Sequence, residues 1–286
     1  MYHQYFGLRA LPFSIAPDPH YLYLSNQHRE ALAHLLYGVG ASGGFVLLTG
    51  EVGTGKTTVC RCLLQQLPEG TEVAFIINPM QSPTDLVASI CDELRLPSAE
   101  DGGSIKRQTD RLLAHLIDTH ARGYRTVVLI DEAQNLPVET MEQIRLLTNL
   151  ETDDTKLLQL VLIGQPELND KLALPELRQF GQRITARYHL GPLTLRETRA
   201  YIQHRLAVAG VYDEIFPDWS LRKIHAASGG VPRLINVLCD RVLLGVYAAS
   251  AKSLARRHVR SAIREVLPPR ARARGFWRWL PALLRG

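Results

Sequence analysis

Two stretches of the 286-residue sequence hold residues whose types and spacing can do chemistry. The first is Gly50-Glu51-Val52-Gly53-Thr54-Gly55-Lys56-Thr57. Gly50, Gly53 and Gly55 let the backbone fold tightly around an anion with its N–H groups turned inward. An apolar run, Phe45-Val46-Leu47-Leu48-Thr49, precedes the glycines, and a helix-like run from Thr58 to Leu67 follows them. A phosphate-binding loop requires that strand, loop and helix context, and the helix adds its positive N-terminal end. Lys56 is expected to reach the β- and γ-phosphates of ATP, the Thr57 hydroxyl to ligate Mg²⁺, and Thr58 to complete the cradle.

The second stretch is Val127-Val128-Leu129-Ile130-Asp131-Glu132-Ala133-Gln134. Four apolar residues place Asp131 at the end of a buried strand, where its carboxylate can hold Mg²⁺ through the metal's water shell. Glu132 is then placed to orient and polarise the water that attacks the γ-phosphate. Hydrolysis of a phosphoanhydride asks for positioning and charge stabilisation, so a metal, a lysine and a carboxylate form a sufficient core set. The competing explanation is an Asp helix cap beside a solvated Glu.

Three further positions add to this chemistry. Ile163-Gly164-Gln165-Pro166 ends another apolar run, so Gln165 either meets the γ-phosphate and its water or is a turn residue before a helix begun by Pro166. The segment from Leu177 to Tyr188 carries Arg183 and Arg187. One of them, Arg183 first and Arg187 second, is expected to reach a neighbouring subunit's γ-phosphate; surface ion pairing is the alternative. Gly229-Gly230-Val231-Pro232-Arg233 opens a helix, and Pro232 would aim Arg233 back at the phosphates rather than into solvent.

These side chains need a frame. Strands expected at about 45–49, 72–78, 126–130, 157–163 and 187–190 alternate with helical patterns at 58–67, 83–94, 106–122 and 138–150. Such alternation predicts a parallel five-stranded sheet sandwiched by helices, with ligands at the C-terminal ends of the strands. Gly50, Asp131 and Gln165 all fall at such ends. A helix is also expected over 28–37, and a polar, glycine-containing loop over 98–104. From Thr194 strands disappear, and 194–209, 217–227, 231–249 and 258–266 read as the helices of a small lid. Domain limits of 1–193 and 194–266 follow, with a basic, aromatic tail over 267–286. Prolines rule out a long helix in 1–24, which is expected to wrap the first domain in extended form. Its aromatics serve either packing or the cover of an adenine ring.

The net charge is +5, and Arg270, Arg272, Arg274, Arg278 and Arg285 account for all of it, leaving residues 1–266 neutral. A neutral body argues against a polyanion binder. No run reaches the ~18 apolar residues of a spanning helix, and the N-terminus lacks the pattern of a signal peptide. Cys60, Cys62, Cys91 and Cys239 lack metal-ligand spacing and are expected to be reduced packing residues of a cytosolic protein.

Together these residues resemble the AAA+ ATPases, and among them the family of general (type II) secretion pathway protein A, with related ATPases of pilus assembly. The residues that carry the resemblance are Phe6-Gly7-Leu8, Pro12-Phe13, Pro17-Asp18-Pro19, His28-Arg29-Glu30-Ala31-Leu32, the loop 50–57, Asp131-Glu132-Ala133-Gln134, Leu146-Leu147-Thr148-Asn149-Leu150-Glu151 and Gly164-Gln165-Pro166-Glu167-Leu168. The resemblance spans residues 1–266. It implies phosphate and Mg²⁺ binding by Lys56 and Thr57, metal and hydrolytic roles for Asp131 and Glu132, a first sensor at Gln165, an arginine finger at Arg183 and a second sensor at Arg233. It also implies ATP-dependent assembly into a homo-oligomer, ring or filament, with an inner-membrane secretion or pilus partner that carries a peptidoglycan-binding part. Longer members continue into a transmembrane helix where this chain reaches Gly286. The tail from Arg270, with Trp277 and Trp279, therefore resembles a juxtamembrane stretch for the inner face of the inner membrane, or else a solubilising tail. Two other functions use the same fold: a DNA-linked, transposition-accessory ATPase, and a scaffold that binds ATP without turnover.

Overall fold

The computed structural model describes residues 2–16, 18–40, 44–77, 79, 82–97, 104–151 and 156–267. Its elements, in chain order, are α1 (Tyr2–Tyr5), α2 (Asn26–Gly40), β1 (Gly44–Gly50), α3 (Lys56–Gln66), β2 (Thr71–Ile76), α4 (Pro83–Glu93), α5 (Ile105–Ala121), β3 (Arg125–Ile130), α6 (Val138–Leu147), β4 (Leu158–Gly164), α7 (Glu167–Leu172), α8 (Arg178–Gly181), β5 (Ile184–Leu190), α9 (Leu195–Val208), α10 (Asp218–Ser228), α11 (Pro232–Ala248) and α12 (Arg256–Val266). They form two compact units. One comprises residues 28–50 and 56–190; the other comprises 1–27, 51–55 and the chain from Gly191 onward.

The first unit is the expected α/β layer structure. Its five strands run in the order β2-β3-β4-β1-β5, and every pair is parallel. β1, β3 and β4 are buried nearly throughout because helices cover both faces, which is why their sequences are apolar without alternation. On one face Phe45, Leu47, Val128, Ile130, Leu160 and Leu162 pack with side chains of α4 to α8. Phe45 stacks on Phe180 with ring centroids 4.1 Å apart. On the other face Gly38 of α2 lies so close to Val46 that an added Cβ would fall 2.4 Å from its methyl. β5 is an edge strand with alternating burial, and it begins at Ile184, three residues before the strand expected at 187–190. Exposed Thr185, Arg187 and His189 alternate with partly buried side chains there, as an edge strand permits.

Local chemistry sets the helix ends. Ser82 caps α4 by accepting the Asp85 N–H, with Pro83 in the first turn. The pattern over 138–150 predicts a longer helix than α6, which stops at Leu147. Thr148 donates through Oγ1 to the Arg145 carbonyl and accepts from Arg183, so side chains satisfy the last turn. Cys60, Cys62, Cys91 and Cys239 are free and buried, and burial pushes each thiol up, consistent with packing roles.

The second unit is helical. α9 opens on a capping box between Thr194 and Glu197. Ile202, Leu206, Leu221, Ile224, Leu238, Val242 and Val259 form its centre. Residues 1–24, expected on the α/β domain, instead bury Tyr2, Phe13 and Tyr21 in this helical core. The reason is Arg205, buried on α9. Its guanidinium donates to the carbonyls of Pro12 and Ser14 and to the Tyr201 hydroxyl, and lies 4.8 Å over the Tyr21 ring. Those partners satisfy a charge that burial would otherwise penalise. Pro17, Asn78, most of the 98–104 loop and the tail beyond Leu267 lie outside the described residues. Among the described residues no helix is long and apolar enough to cross a membrane.

Candidate active site

β3, β4 and β1 are neighbours, with Ile130 opposite Leu162 and Thr49 opposite Gly164. Their C-terminal ends therefore bring Gly50, Asp131 and Gln165 together at one edge of the sheet. Lys56 begins α3; it is buried, and its Nζ donates to the Gly50 carbonyl at 2.8 Å.

Asp131 is buried at the end of β3. Loss of water raises its carboxyl above the usual range. The Glu132 N–H, at 2.9 Å, the Lys56 charge and the Thr57 hydroxyl oppose that rise, while the charge of Glu132 adds to it. The Thr57 hydroxyl and the Asp131 carboxylate are thus two adjoining oxygen donors. Among the described residues no three His, Cys, Asp or Glu side chains gather into a metal cage. Two oxygens without a cage fit Mg²⁺, which takes its remaining ligands from phosphates and water.

Glu132 has a left-handed backbone, φ 52° and ψ 35°. For a residue with a β-carbon this costs on the order of 1–3 kcal/mol and persists only where the surroundings impose it. Here its N–H is bound to Asp131 Oδ1, and its Oε2 accepts from Gln165 Nε2 at 3.1 Å and from Gln134 Nε2 at 2.5 Å. Gln165 therefore lies beside Glu132. Its backbone N–H donates to Gln134 Oε1 at 3.0 Å. Lys171 of α7, its amine lowered by burial, donates to the carbonyls of Gln134 and Leu136. Gln134 was legible in the sequence only as the last letter of its motif; its place between Glu132 and Gln165 comes from the turn after β3.

The two arginines differ. Arg183 is half-buried, and its Nη1 donates to Thr148 Oγ1 at 2.8 Å and to the Arg145 carbonyl at 3.3 Å. Arg187 is exposed on β5 and donates to the Gly181 carbonyl at 3.1 Å. Arg178, the third arginine of the 177–188 segment, is exposed at the start of α8.

Loop residues 51–55 pack within the helical unit. Thr54 donates through its N–H and its Oγ1 to the Glu51 carbonyl, closing a tight turn. Gly53 has φ 82° and lies against the start of α11: a Cβ there would be 2.7 Å from the Arg233 Cβ and 3.2 Å from a Val231 methyl. The Arg233 N–H donates to the Gly53 carbonyl at 3.3 Å. Val52 and Leu234 both pack against Leu267. Arg233 is thus joined to the loop through its backbone, and its side chain is exposed.

Residues 40–172 match a family described as an AAA domain, and both chemical stretches lie inside that span. The chain is 56% identical over 266 residues to "General secretion pathway protein A" of Aeromonas hydrophila, an alignment that covers 93% of this chain and 48% of that protein. It therefore spans about half the length of that relative. Cdc6p from Pyrobaculum aerophilum has a TM-score of 0.70 at 21% identity, over 90% of this chain and 70% of that one. The Aeropyrum pernix ORC2 protein, in ADPNP-ADP complexes, has a TM-score of 0.62 at 20% identity, over 89% and 71%. At such identities these two structures speak for the fold alone. Residues 40–172 thus match an AAA domain, and the chain is similar along 93% of its length to general secretion pathway protein A.

Proposed function

We propose that the chain binds ATP with Mg²⁺ and hydrolyses it, and that nucleotide-dependent self-association couples this turnover to assembly of a bacterial envelope secretion or pilus system. The observation that carries the reading is the Glu132 carboxylate, held by two carboxamides beside buried Lys56 and Asp131 and the hydroxyl of exposed Thr57. In this reading Gly50, Glu51, Val52, Gly53, Thr54 and Gly55 offer backbone N–H groups to the phosphates, with Thr58 behind them at the helix start. Lys56 exchanges the Gly50 carbonyl for phosphate oxygens. Thr57 and Asp131 hold Mg²⁺, which neutralises charge on the phosphates. Glu132 orients the attacking water and takes its proton as the water oxygen bonds to the γ-phosphorus and ADP leaves. Gln165 donates to the γ-phosphate or to that water.

Arg183 and Arg187 are the candidates for the arginine presented to a neighbouring subunit's γ-phosphate; the ties of Arg183 to Thr148 favour the exposed Arg187. Arg233, tethered to Gly53, reports nucleotide state to α11. The name of the 56% identical relative supports the secretion arm; an inner-membrane partner and work at the inner face of that membrane belong to the same proposal. The arginines and tryptophans of 270–285 supply a surface for anionic lipid.

The test is the rate of ATP hydrolysis against protein concentration, with duplex DNA or anionic vesicles added. A rate per subunit that rises with concentration and with vesicles agrees with the envelope role. Stimulation by DNA alone, fading steeply with salt, favours the transposition-accessory role instead.

A further inference from the structure

The Gln134 carboxamide joins the ends of two strands. Its Oε1 accepts the backbone N–H of Gln165, which follows β4, and its Nε2 donates to Glu132 Oε2, which follows β3. The Gln165 N–H fixes the amide's orientation, because the opposite flip would set donor against donor. Lys171 pins the backbone of the same turn at Gln134 and Leu136. Gly164 leaves the space that the carboxamide fills: a Cβ there would lie 2.9 Å from Gln134 Oε1 and 2.7 Å from a Leu168 methyl.

We propose that Gln134 is a positioning residue for hydrolysis, one that keeps Glu132 aimed while Gln165 is drawn to the nucleotide. The proposal rests on the hydrolytic reading above. Glu132 stands on a left-handed backbone, so backbone preference does not set the direction of its carboxylate; the carboxamides do. Both now share Oε2. When Gln165 turns its amide to a phosphate oxygen, the bond from Gln134 remains. Because Gln134 also grips the Gln165 backbone, movement at the end of β4 reaches Glu132 through one rigid amide.

The test uses the full chain and measures kcat, KM and ATP affinity for wild type, Gln134→Met, Glu132→Gln and the double variant. Methionine keeps the size of the side chain and removes both hydrogen bonds. The expected result is a loss of about ten- to a hundredfold in kcat, as for a misplaced catalytic group, with ATP affinity within about twofold of wild type. In the Glu132→Gln background the same change should cost nothing further, because Gln134 acts through Glu132. Gly164→Ala crowds the carboxamide without altering a functional group and should lower kcat in the same way, which covers the case in which Gln134→Met does not fold. Wild-type kcat in both Gln134→Met and Gly164→Ala overturns the proposal, and so does an equal loss in both Glu132 backgrounds or a loss of ATP affinity alone. Active wild type with silent Glu132→Gln leaves the hydrolytic reading intact in each of those cases. An inert wild type that still binds ATP sinks both.

Discussion

Replacing Gly53 by alanine acts on the glycine-rich loop 50–57, proposed above to hold phosphate, where it meets α11. The residue has φ 82°, and the left-handed region costs an L-residue about 1–2 kcal/mol. The new Cβ would lie 2.7 Å from the Arg233 Cβ. Carbon atoms rest at roughly 3.5–4.0 Å, so either the loop or the start of α11 must give way by about 1 Å. That movement stretches the 3.3 Å hydrogen bond from the Arg233 N–H to the Gly53 carbonyl, a bond of about 1 kcal/mol. Together about 2–3 kcal/mol falls on the loop conformation, or roughly 30- to 140-fold in nucleotide affinity. Calorimetric titration with a non-hydrolysable ATP analogue measures it. Gly7→Ala is the control: φ is 69°, and an added Cβ there meets nothing within 4 Å. It bears the same backbone cost away from the loop and should bind the analogue as wild type does. A Gly53→Ala affinity within twofold of wild type would refute the reasoning, since the loop would then not hold phosphate in this form.

Arg205→Met removes the donors to the Pro12 and Ser14 carbonyls; about 3 kcal/mol of anchoring goes with it, and trypsin should cut at exposed Arg9 at least tenfold faster. An unchanged cleavage rate would contradict that anchoring. Burial holds His225, whose Nδ1 faces Thr198 Oγ1 at 3.0 Å, below its ordinary value of 6.5. The unfolded chain therefore takes up the proton first, so this stabilisation is present above pH 6.5 and is lost as the pH falls through 6.5 toward the folded value. Thermal melts between about pH 7.5 and about pH 5.5 should decline, and less so in His225→Gln, with His258 contributing in the same sense. Arg187→Ala should cut the concentration-dependent ATPase rate by about 10³-fold and leave ATP binding intact, whereas Arg183→Ala should lower the melting temperature through Thr148 and α6. The reverse pattern would restore Arg183 as the trans-acting group.

Central strands and the loop were legible because their signals are local. Phe45 to Leu48 and Val127 to Ile130 are apolar at every position, which a strand covered on both faces requires, and the glycine spacing of 50–55 has few other uses. β5 was half-hidden, since its outward Thr185, Arg187 and His189 reflect a position at the sheet edge. The placement of residues 2–21 was hidden as well. It depends on Arg205, nearly two hundred residues away, and no local pattern marks an arginine as buried. The left-handed Glu132 and the Gln134 bridge arise from the meeting of β3 and β4, and the sequence alone could not reveal that Arg183 is occupied by Thr148.

The most direct measurement is single-turnover phosphate release from ATP by wild type and Glu132→Gln, with ATP binding followed in parallel. Turnover by wild type, slowed about 10²- to 10⁴-fold in Glu132→Gln while ATP stays bound, is the predicted result. Equal rates in the two proteins, or bound ATP that neither protein hydrolyses at any concentration, would contradict Glu132 as the hydrolytic carboxylate.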